Sequence, residues 1–285
     1  MNQLSIKAHA KINLFLNITG LRNDEYHELE MVMQSIELHD NIIITPRKKG
    51  INIDTNSNEI PIGSDNLAYK AAEKIIEESD FSRGVNIFID KKIPVAAGLA
   101  GGSTDAAAVI KGMNNLFNLD LEDHTIHDIA LKVGSDVPFC LNPGTAYATG
   151  RGDKLEYLTA LKKYKVILVK PPVMVSTKKI YEMYDDLDQN IEVPVKKLLK
   201  NIKKKKRLNI KDGWANVLEP VTRNVIKEVG EIENILRDKG FEFTLMTGSG
   251  PAVFSLVCKN REEAAKQLVK NWQRDQDFII LTETI

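Results

Sequence analysis

Apolar and polar residues alternate through much of the first third of the chain, and this period of two predicts β-strands. The alternation is partial over residues 4–20, as in KINLFLNITG, and it continues through LEMVMQSIEL, NIIITP and GINIDT. The segment GVNIFIDKKIP predicts a further strand that ends at Pro94. In NLAYKAAEKIIEES the apolar residues instead share one helical face, and Asn66 is the expected N-cap of that helix.

Helices and strands mix in the rest of the chain. We expect a helix from about Ser103 to Phe117, and EDHTIHDIALKVG predicts another that ends at Gly134. KYKVILVKPP and DFIILTET predict strands, and FEFTLMTGSGPAVFSLV predicts two strands around a glycine turn. Helices are predicted in STKKIYEMYDDL, PVKKLLKNIKKKKR, NVIKEVGEIENILRDKG and REEAAKQLVKNW. This order favours an α+β fold over a repeating βαβ arrangement, with a domain boundary near residue 160.

The composition narrows the class of protein. With 285 residues, 43% of them hydrophobic, the chain can form one large domain or two smaller ones. Lys+Arg and Asp+Glu both total 39, so no overall charge favours nucleic acid or a membrane as the main partner. Cys140 and Cys258 lie far apart, outside any CxxC spacing, which indicates a reducing compartment. Because no apolar segment has the length of a signal or a membrane span, we expect a soluble cytoplasmic protein.

The stretch PVAAGLAGGSTDAAA, residues 94–108, is the first candidate for chemistry. Its glycines allow positive φ, its Ser-Thr-Asp residues favour a helix start, and its alanines favour a helix. Unpaired N–H groups at a helix start suit a phosphate, although the cluster also fits a plain strand-to-helix turn. No lysine follows Gly102, which excludes the common P-loop spacing. A second cluster, TGSGPAVF at 247–254, adds further backbone donors and favours phosphate binding.

This glycine stretch resembles the ATP-phosphate loop of the GHMP kinases, the superfamily of galactose, homoserine, mevalonate and phosphomevalonate kinases. Three further segments, AKINLFLNITGLRNDEYHELEMVMQSIEL (10–38), GSDVPF (134–139) and MTGSGPAVF (246–254), narrow the resemblance. They are similar to the branch that acts on 4-diphosphocytidyl-2-C-methyl-D-erythritol in the non-mevalonate route to isoprenoid precursors. Ala97 and Ala100 stand where that superfamily often has glycine. The resemblance implies a two-domain fold of mixed sheets packed with helices, with an ATP-phosphate-binding domain at 1–160 and a C-terminal domain at 161–285.

The resemblance also implies an ATP site. The residues implied to bind ATP are Pro94, Val95, Ala96, Ala97, Gly98, Leu99, Ala100, Gly101, Gly102, Ser103 and Thr104, together with Asn66 near the adenine. Mg²⁺ is expected to arrive with ATP, bridging its β- and γ-phosphates. The sequence leaves open which protein groups, if any, contact the metal.

Two residues are the implied catalytic pair. Asp136 would be the general base that receives the proton of the acceptor hydroxyl, although an aspartate after Gly134 is also typical of a turn. Lys11 would keep Asp136 ionised and stabilise charge on the transferred phosphoryl group. A lysine in a strand is otherwise most simply an exposed residue on an open sheet face.

The remaining implied residues would bind the acceptor. Tyr26 would stack on the cytosine, and His27 would meet its polar edge. Tyr181 could complete a sandwich, although Tyr184 lies on the same helical face. The full set is Asn13, Tyr26, His27, Tyr181, Gly248, Ser249 and Gly250.

Several alternatives stay open or are set aside. A sister kinase acting on homoserine, mevalonate or a sugar shares the glycine loop, and a nucleic-acid-binding module could use the basic block at 196–207. His124 and His127 lie three apart on a helix, but no third ligand joins them, so a solvated face is the simpler interpretation. Cys140 is interpreted as a core residue.

The expected partners are small molecules, with neither nucleic acid nor membrane among them, and the protein is expected to be a monomer or a homodimer.

Overall fold

A computed structural model describes residues 3–79, 83–187, 193–204, 206, 208 and 212–285. The strands are β1 (Leu4–Leu21), β2 (His27–Arg47), β3 (Ile51–Thr55), β4 (Gly84–Asp90), β5 (Thr145–Thr149), β6 (Lys154–Tyr157), β7 (Lys165–Lys170), β8 (Ala215–Asn216), β9 (Thr244–Met246), β10 (Val253–Val257) and β11 (Phe278–Glu283). The helices are α1 (Leu67–Glu78), α2 (Gly101–Phe117), α3 (Asp123–Val133), α4 (Val137–Leu141), α5 (Thr177–Asp185), α6 (Lys196–Lys203), α7 (Glu219–Val225), α8 (Lys227–Asp238) and α9 (Glu262–Lys270).

The chain divides into two compact units, and each is assembled from separate segments. Unit 1 comprises Met1–Ala10, Leu38–Val95 and Ala100–Pro143. Unit 2 comprises Lys11–Glu37, Ala96–Leu99 and Gly144–Ile285. The predicted division near residue 160 stays a prediction.

Unit 1 packs α1, α2, α3 and α4 together with paired strands. In this unit β4 pairs in parallel with β3 and antiparallel with residues 41–47 of β2. The alanines of α2 are buried, and they let that helix approach its neighbours closely. Gly112 marks a close contact, since a Cβ there would lie 2.4 Å from Cδ1 of Ile44. The α2 helix therefore lies directly against β2.

Unit 2 contains a four-stranded sheet in the order β11-β7-β10-β9. Its central strands β7 and β10 are rich in buried Val, Ile and Leu, as expected for strands covered on both faces. In the same unit, residues 31–34 of β2 pair with β5, β5 pairs with β6, and Phe15 and Leu16 of β1 pair in parallel with β8. The long strands β1 and β2 are neighbours in their sheet.

The predicted α+β class is confirmed, and most predicted elements are present. The strands predicted in LEMVMQSIEL and NIIITP form one continuous strand, β2, and Asp40 between them is buried, with its carboxylate hydrogen-bonded. The helix after the glycine loop begins at Gly101, two residues earlier than predicted. Elements β5, β6, β8, α4 and α7 were not predicted, since they are short and lie among glycine, proline and charged residues.

Two further expectations concern the basic block and membrane-spanning helices. The basic block corresponds to α6, in which Lys203 pairs with Glu156; Lys205 and Arg207 lie outside the described residues. Within the described ranges, no helix combines the length and the apolar character needed to cross a bilayer.

Candidate active site

The glycine loop connects β4 to α2 and has an unusual backbone. Ala96, Gly98 and Ala100 have positive φ values of 51°, 74° and 57°. Residues in this conformation turn successive N–H groups toward one side of the chain, an arrangement that favours anions. Of the two alanines at positions 97 and 100, Ala100 has positive φ and Ala97 does not. The loop therefore adopts the strained conformation at Ala100 in spite of its Cβ.

In unit 1 the start of α2 offers donors to a ligand. Ala100 is the N-cap and makes no side-chain capping bond, and the first N–H groups of a helix have no carbonyl partner one turn earlier. Gly102 is exposed and Ser103 is half-buried. Thr104 is buried instead, and its hydroxyl donates to the carbonyl oxygen of His9 at 2.7 Å. Ser103 thus has the more accessible hydroxyl of the pair.

Asn66, the residue implied to lie near adenine, caps α1 as predicted. Its Oδ1 accepts from the N–H of Ala68 at 2.8 Å, and its Nδ2 donates to the carbonyl oxygen of Pro61 at 2.7 Å. The side chain is buried and orients the start of α1. A contact with adenine stays a prediction.

Asp136 lies in the short connection between α3 and α4 of unit 1. Gly134 ends α3 as predicted, and Asp136 is the residue before α4. Its side chain is half-buried and makes no capping bond to α4. The carboxylate is therefore not committed to capping the helix that it precedes.

In unit 2, Lys11 is buried, with 4% of its surface exposed. Its Nζ donates to Oδ1 of Asn13 at 2.7 Å, and the two side chains lie on the same side of β1. The alternative of an exposed lysine on an open sheet face is therefore wrong. A buried ammonium is costly unless it is hydrogen-bonded, so the pair is a candidate for function.

The hydroxyl of Thr247 connects this pair to the glycine loop. It accepts from the N–H of Asn13 at 3.0 Å, and its oxygen lies 3.3 Å from the carbonyl oxygen of Gly98, to which it donates. The N–H of Lys11 donates to the carbonyl oxygen of Leu99 at 3.2 Å. Residues 96–99 of the loop are thus fixed against the start of the second glycine turn.

The second glycine turn is itself firmly held. Asn216 donates through Nδ2 to the carbonyl oxygens of Met246 and Gly248 at 2.9 and 2.8 Å. Ser249 is buried and its Oγ lies 2.9 Å from Oγ1 of Thr177. Gly248 and Gly250 both have positive φ. Consequently the three predicted residues form one rigid turn beside the loop residue Gly98.

The predicted cytosine-binding residues lie on the loop before β2 and on α5. Tyr26 is 52% exposed, and the guanidinium of Arg151 lies 4.8 Å from its ring centroid. His27 packs its ring against Tyr181 at 4.8 Å, and its Nε2 is 2.7 Å from Oδ1 of Asp185. An exposed aromatic face beside a paired histidine suits a planar base.

Tyr184, the alternative to Tyr181, is buried in unit 2. Its position makes Tyr181 the better candidate for contact with a ligand. Arg151 and Asp185 were not predicted, because nothing in the local sequence places them beside Tyr26 and His27. Thr247 was not predicted either, although it stands in the quoted motif MTGSGPAVF.

The residues that were set aside also have simple environments. His124 and His127 are exposed on α3, as predicted, and His124 pairs with Glu122. Cys140 is only half-buried, and it packs against the edge of the core of unit 1.

Comparison with known proteins identifies the family. The model for the GHMP kinases N terminal domain matches residues 66–144, and that for the GHMP kinases C terminal matches residues 196–276. A protein of Acetivibrio thermocellus named 4-diphosphocytidyl-2-C-methyl-D-erythritol kinase is 44% identical over 264 residues, 93% of each chain. A protein of the same name from Clostridium acetobutylicum is 38% identical and covers 99% of this chain and all of the relative. The chain belongs to the 4-diphosphocytidyl-2-C-methyl-D-erythritol kinases.

Solved structures agree with membership in this kinase family. A crystal structure of 4-(cytidine 5'-diphospho)-2C-methyl-D-erythritol kinase matches with a TM-score of 0.81 at 29% identity, over 99% of this chain and 100% of that one. Homoserine kinase from Cytophaga hutchinsonii matches with a TM-score of 0.79 at 17% identity, over 100% and 95%. At that identity the second match shows the shared GHMP kinase fold alone.

Proposed function

We propose that this kinase transfers the γ-phosphoryl group of ATP to the 2-hydroxyl of 4-diphosphocytidyl-2-C-methyl-D-erythritol. The observation that carries the proposal is the connection in unit 2 between the buried Lys11–Asn13 pair and loop residue Gly98 through Thr247. A phosphoryl-transfer enzyme needs a cation at a fixed position relative to the backbone that binds the phosphates. The Thr247 hydroxyl fixes that position because it bonds to both Asn13 and Gly98. Similarity to relatives of that name supports the choice of acceptor.

ATP would bind with its phosphates over residues 94–104. The positive-φ residues of the loop and the first N–H groups of α2 would donate to the phosphate oxygens, and the positive end of the helix dipole would add to the attraction. The half-buried Ser103 hydroxyl is available as a further donor.

Mg²⁺ arriving with ATP would neutralise negative charge on the phosphates. The donors of the loop fit an ion carried mainly by ATP and water: they are N–H groups and hydroxyls, and the nearby carboxylate of Asp105 is buried against Lys91. No protein ligand to the ion is proposed.

Asp136 would accept or orient the proton of the 2-hydroxyl as the nucleophile forms. A half-buried carboxylate that caps no helix suits that role. Lys11, held in place by Asn13, would stabilise the negative charge that develops on the transferred group. Tyr26 would stack on the cytosine, with His27 and Tyr181 beside it.

The test is an ADP-release assay with ATP and the cytidyl acceptor, with the product identified by ³¹P NMR. The wild-type protein should form the 2-phosphate, and Asp136→Asn should lower kcat by about 10²–10⁴-fold while the protein stays folded. Asp128→Asn, an exposed aspartate of α3, is the matched control and should keep full turnover. Near-normal turnover by folded Asp136→Asn would contradict the general-base assignment, and no turnover by the wild type would contradict the proposed function.

A further inference from the structure

Unit 1 contains a buried charge cluster that the proposed mechanism does not use. Lys91 Nζ lies 2.6 Å from Oδ2 of Asp40 and 2.8 Å from Oδ2 of Asp105. The exposed fractions of the three side chains are 6%, 0% and 3%. Taking charged groups out of water is costly, and a buried ion pair is often no more stable than apolar residues of the same size. Its presence therefore calls for a reason other than stability.

The first anchor of the cluster fixes the chain just before the glycine loop. Oδ1 of Asp40, on β2, accepts hydrogen bonds from the N–H groups of Lys92 and Ile93. These residues follow β4 and directly precede Pro94, where the loop begins. The Asp40 carboxylate thus sets the direction in which the chain enters the loop.

The second anchor lies just after the loop. Asp105 belongs to α2, five residues after its N-cap Ala100. The Lys91 ammonium also lies against the first residue of that helix, because a Cβ on Gly101 would be only 3.0 Å from Nζ. One ammonium group therefore joins the residues that precede the loop to the helix that follows it.

We propose that Lys91 is a positioning residue for the phosphate loop, with Asp40 and Asp105 as its anchors on the two sides. The proposal rests on the proposed function, in that the loop is taken to hold the phosphates of ATP. By fixing both flanks, the Lys91 ammonium would keep the loop N–H groups aimed at the phosphate oxygens before ATP arrives. Preorganised donors bind more tightly because less ordering is left for the binding step.

The charge balance of the cluster suggests a clean test at position 105. Two carboxylates face one ammonium, and Oδ1 of Asp105 is buried without a hydrogen-bond partner among the described residues. Asp105→Leu keeps a side chain that branches at Cγ and leaves a balanced Lys91–Asp40 pair, but it removes the acceptor that ties Lys91 to α2. Asp105→Asn makes the same change in charge and keeps an oxygen acceptor. The two variants therefore have the same charge at position 105 and differ only in whether that side chain can accept a hydrogen bond from Lys91.

We expect Asp105→Leu to weaken binding of a non-hydrolysable ATP analogue, measured by calorimetry, by about tenfold, the usual effect of losing a hydrogen bond to a charged group. The KM for ATP should rise to match, and the KM for the acceptor should stay within about twofold. Asp105→Asn should keep the ATP affinity within about threefold of wild type. Lys92→Met, an exposed neighbour paired with Asp90, is the control for general effects of a change near the loop.

Equal ATP affinities for folded Asp105→Leu and Asp105→Asn would overturn the proposal, and so would a parallel rise in both KM values. If Asp105→Leu does not fold, Asp105→Ala lacks the same acceptor in a helix already rich in alanine, and the same ATP-specific loss is expected. The calorimetric measurement needs no acceptor. Failure of the wild type to phosphorylate the cytidyl acceptor would thus contradict the proposed function while the positioning role of Lys91 is still decided by ATP binding.

Discussion

Tyr26 is the most exposed residue of the predicted acceptor site, and its exposure makes it a direct probe of base stacking. Loss of the ring in Tyr26→Ala should raise the KM for the cytidyl acceptor by about 10–100-fold, since stacking contributes roughly 1–3 kcal/mol per base. The KM for ATP should hardly change. Steady-state kinetics with each substrate varied in turn measures both.

Tyr26→Phe is the matched control for this prediction. It keeps the aromatic face and should keep the acceptor KM within about threefold of wild type. Equal losses of ATP and acceptor affinity in Tyr26→Ala would show that the ring supports the fold of the site instead of binding the base.

Asp105 should make stability depend on pH. Burial raises the pKa of its carboxyl to about 8, with Lys91 opposing the rise and Asp40 adding to it. In the unfolded chain the pKa is near 4, so between about pH 4 and pH 8 the folded protein holds one proton more. The stability that Asp105 contributes is fully present below the unfolded-state pKa. It is lost as the pH rises toward the folded-state pKa, by at most about 1.4 kcal/mol per pH unit.

The side chain in Asp105→Asn cannot titrate. The free energy of unfolding of this variant, relative to that of wild type, should therefore increase from pH 5 to pH 8 and then level off. Melting temperatures of both proteins across this range measure the difference in stability. Other groups, such as Glu233, whose pKa burial raises to about 7, titrate in both proteins, so their contributions cancel in the comparison. A constant difference across the range would show that Asp105 is already ionised in the folded protein.

At the level of single residues, the sequence identified candidates but could not give their environments. Lys11 stands in an alternating strand and could equally have faced solvent. It is buried and bonded to Asn13, whose N–H donates to Thr247, more than two hundred residues away. Arg151 and Asp185 also lie more than a hundred residues in sequence from Tyr26 and His27, the aromatic residues they contact. Such pairings follow from the tertiary fold, which local patterns do not encode.

At the level of elements, the glycine loop depends on Gly98. Its φ is 74°, and a Cβ there would lie 2.2 Å from the carbonyl oxygen of Thr247. Gly98→Ala should therefore lower the free energy of unfolding by more than about 2 kcal/mol and should weaken ATP binding, because the backbone must move. Urea denaturation and calorimetry measure the two effects.

Gly63→Ala provides the comparison, since a Cβ on Gly63 would have no other atom within 4 Å and the residue has no positive φ. It should change stability by less than about 1 kcal/mol. Similar unfolding curves for the two variants would mean that the two glycine turns do not meet as closely as described.

Period and turn residues predicted the long elements well. The helix in NLAYKAAEKIIEES and its cap at Asn66 follow from local rules, as does the end of α3 at Gly134. The start of α2 did not follow, because Ala100 takes the left-handed conformation that local preference assigns to glycine. Strands β5 and β6 are short and carry Thr, Ala and charged residues, so the pairing of β5 with β2 and of β6 with β5, rather than local preference, creates them.

For the whole molecule, the choice of acceptor is the property that separates this family from others with the same fold. We expect kcat/KM for 4-diphosphocytidyl-2-C-methyl-D-erythritol to exceed that for homoserine, mevalonate or a sugar, and for the acceptor without its cytidine, by at least about a hundredfold. Binding energy from the cytidine would be used to align the reacting hydroxyl. A panel of acceptors in the ADP-release assay measures these ratios.

Comparable turnover of the acceptor without cytidine would contradict the role given to Tyr26 and His27. Preference for homoserine or mevalonate would favour a sister kinase. The motifs at 10–38, 134–139 and 246–254 made the cytidyl acceptor the expected one, whereas the glycine loop alone left the choice open.

The interleaving of the two compact units has a consequence for synthesis on the ribosome. Unit 1 has all of its segments once residue 143 has emerged, so it can fold while the C-terminal half is still being translated. Unit 2 needs both Lys11–Glu37 and the chain up to Ile285, whose N–H donates to the carbonyl oxygen of Ser35. The strand segment that carries Lys11 is therefore synthesised early, but it cannot complete its packing until translation ends. A ribosome stalled in the second half of the chain would leave a nascent chain with a folded unit 1 and without the surroundings of Lys11 in unit 2.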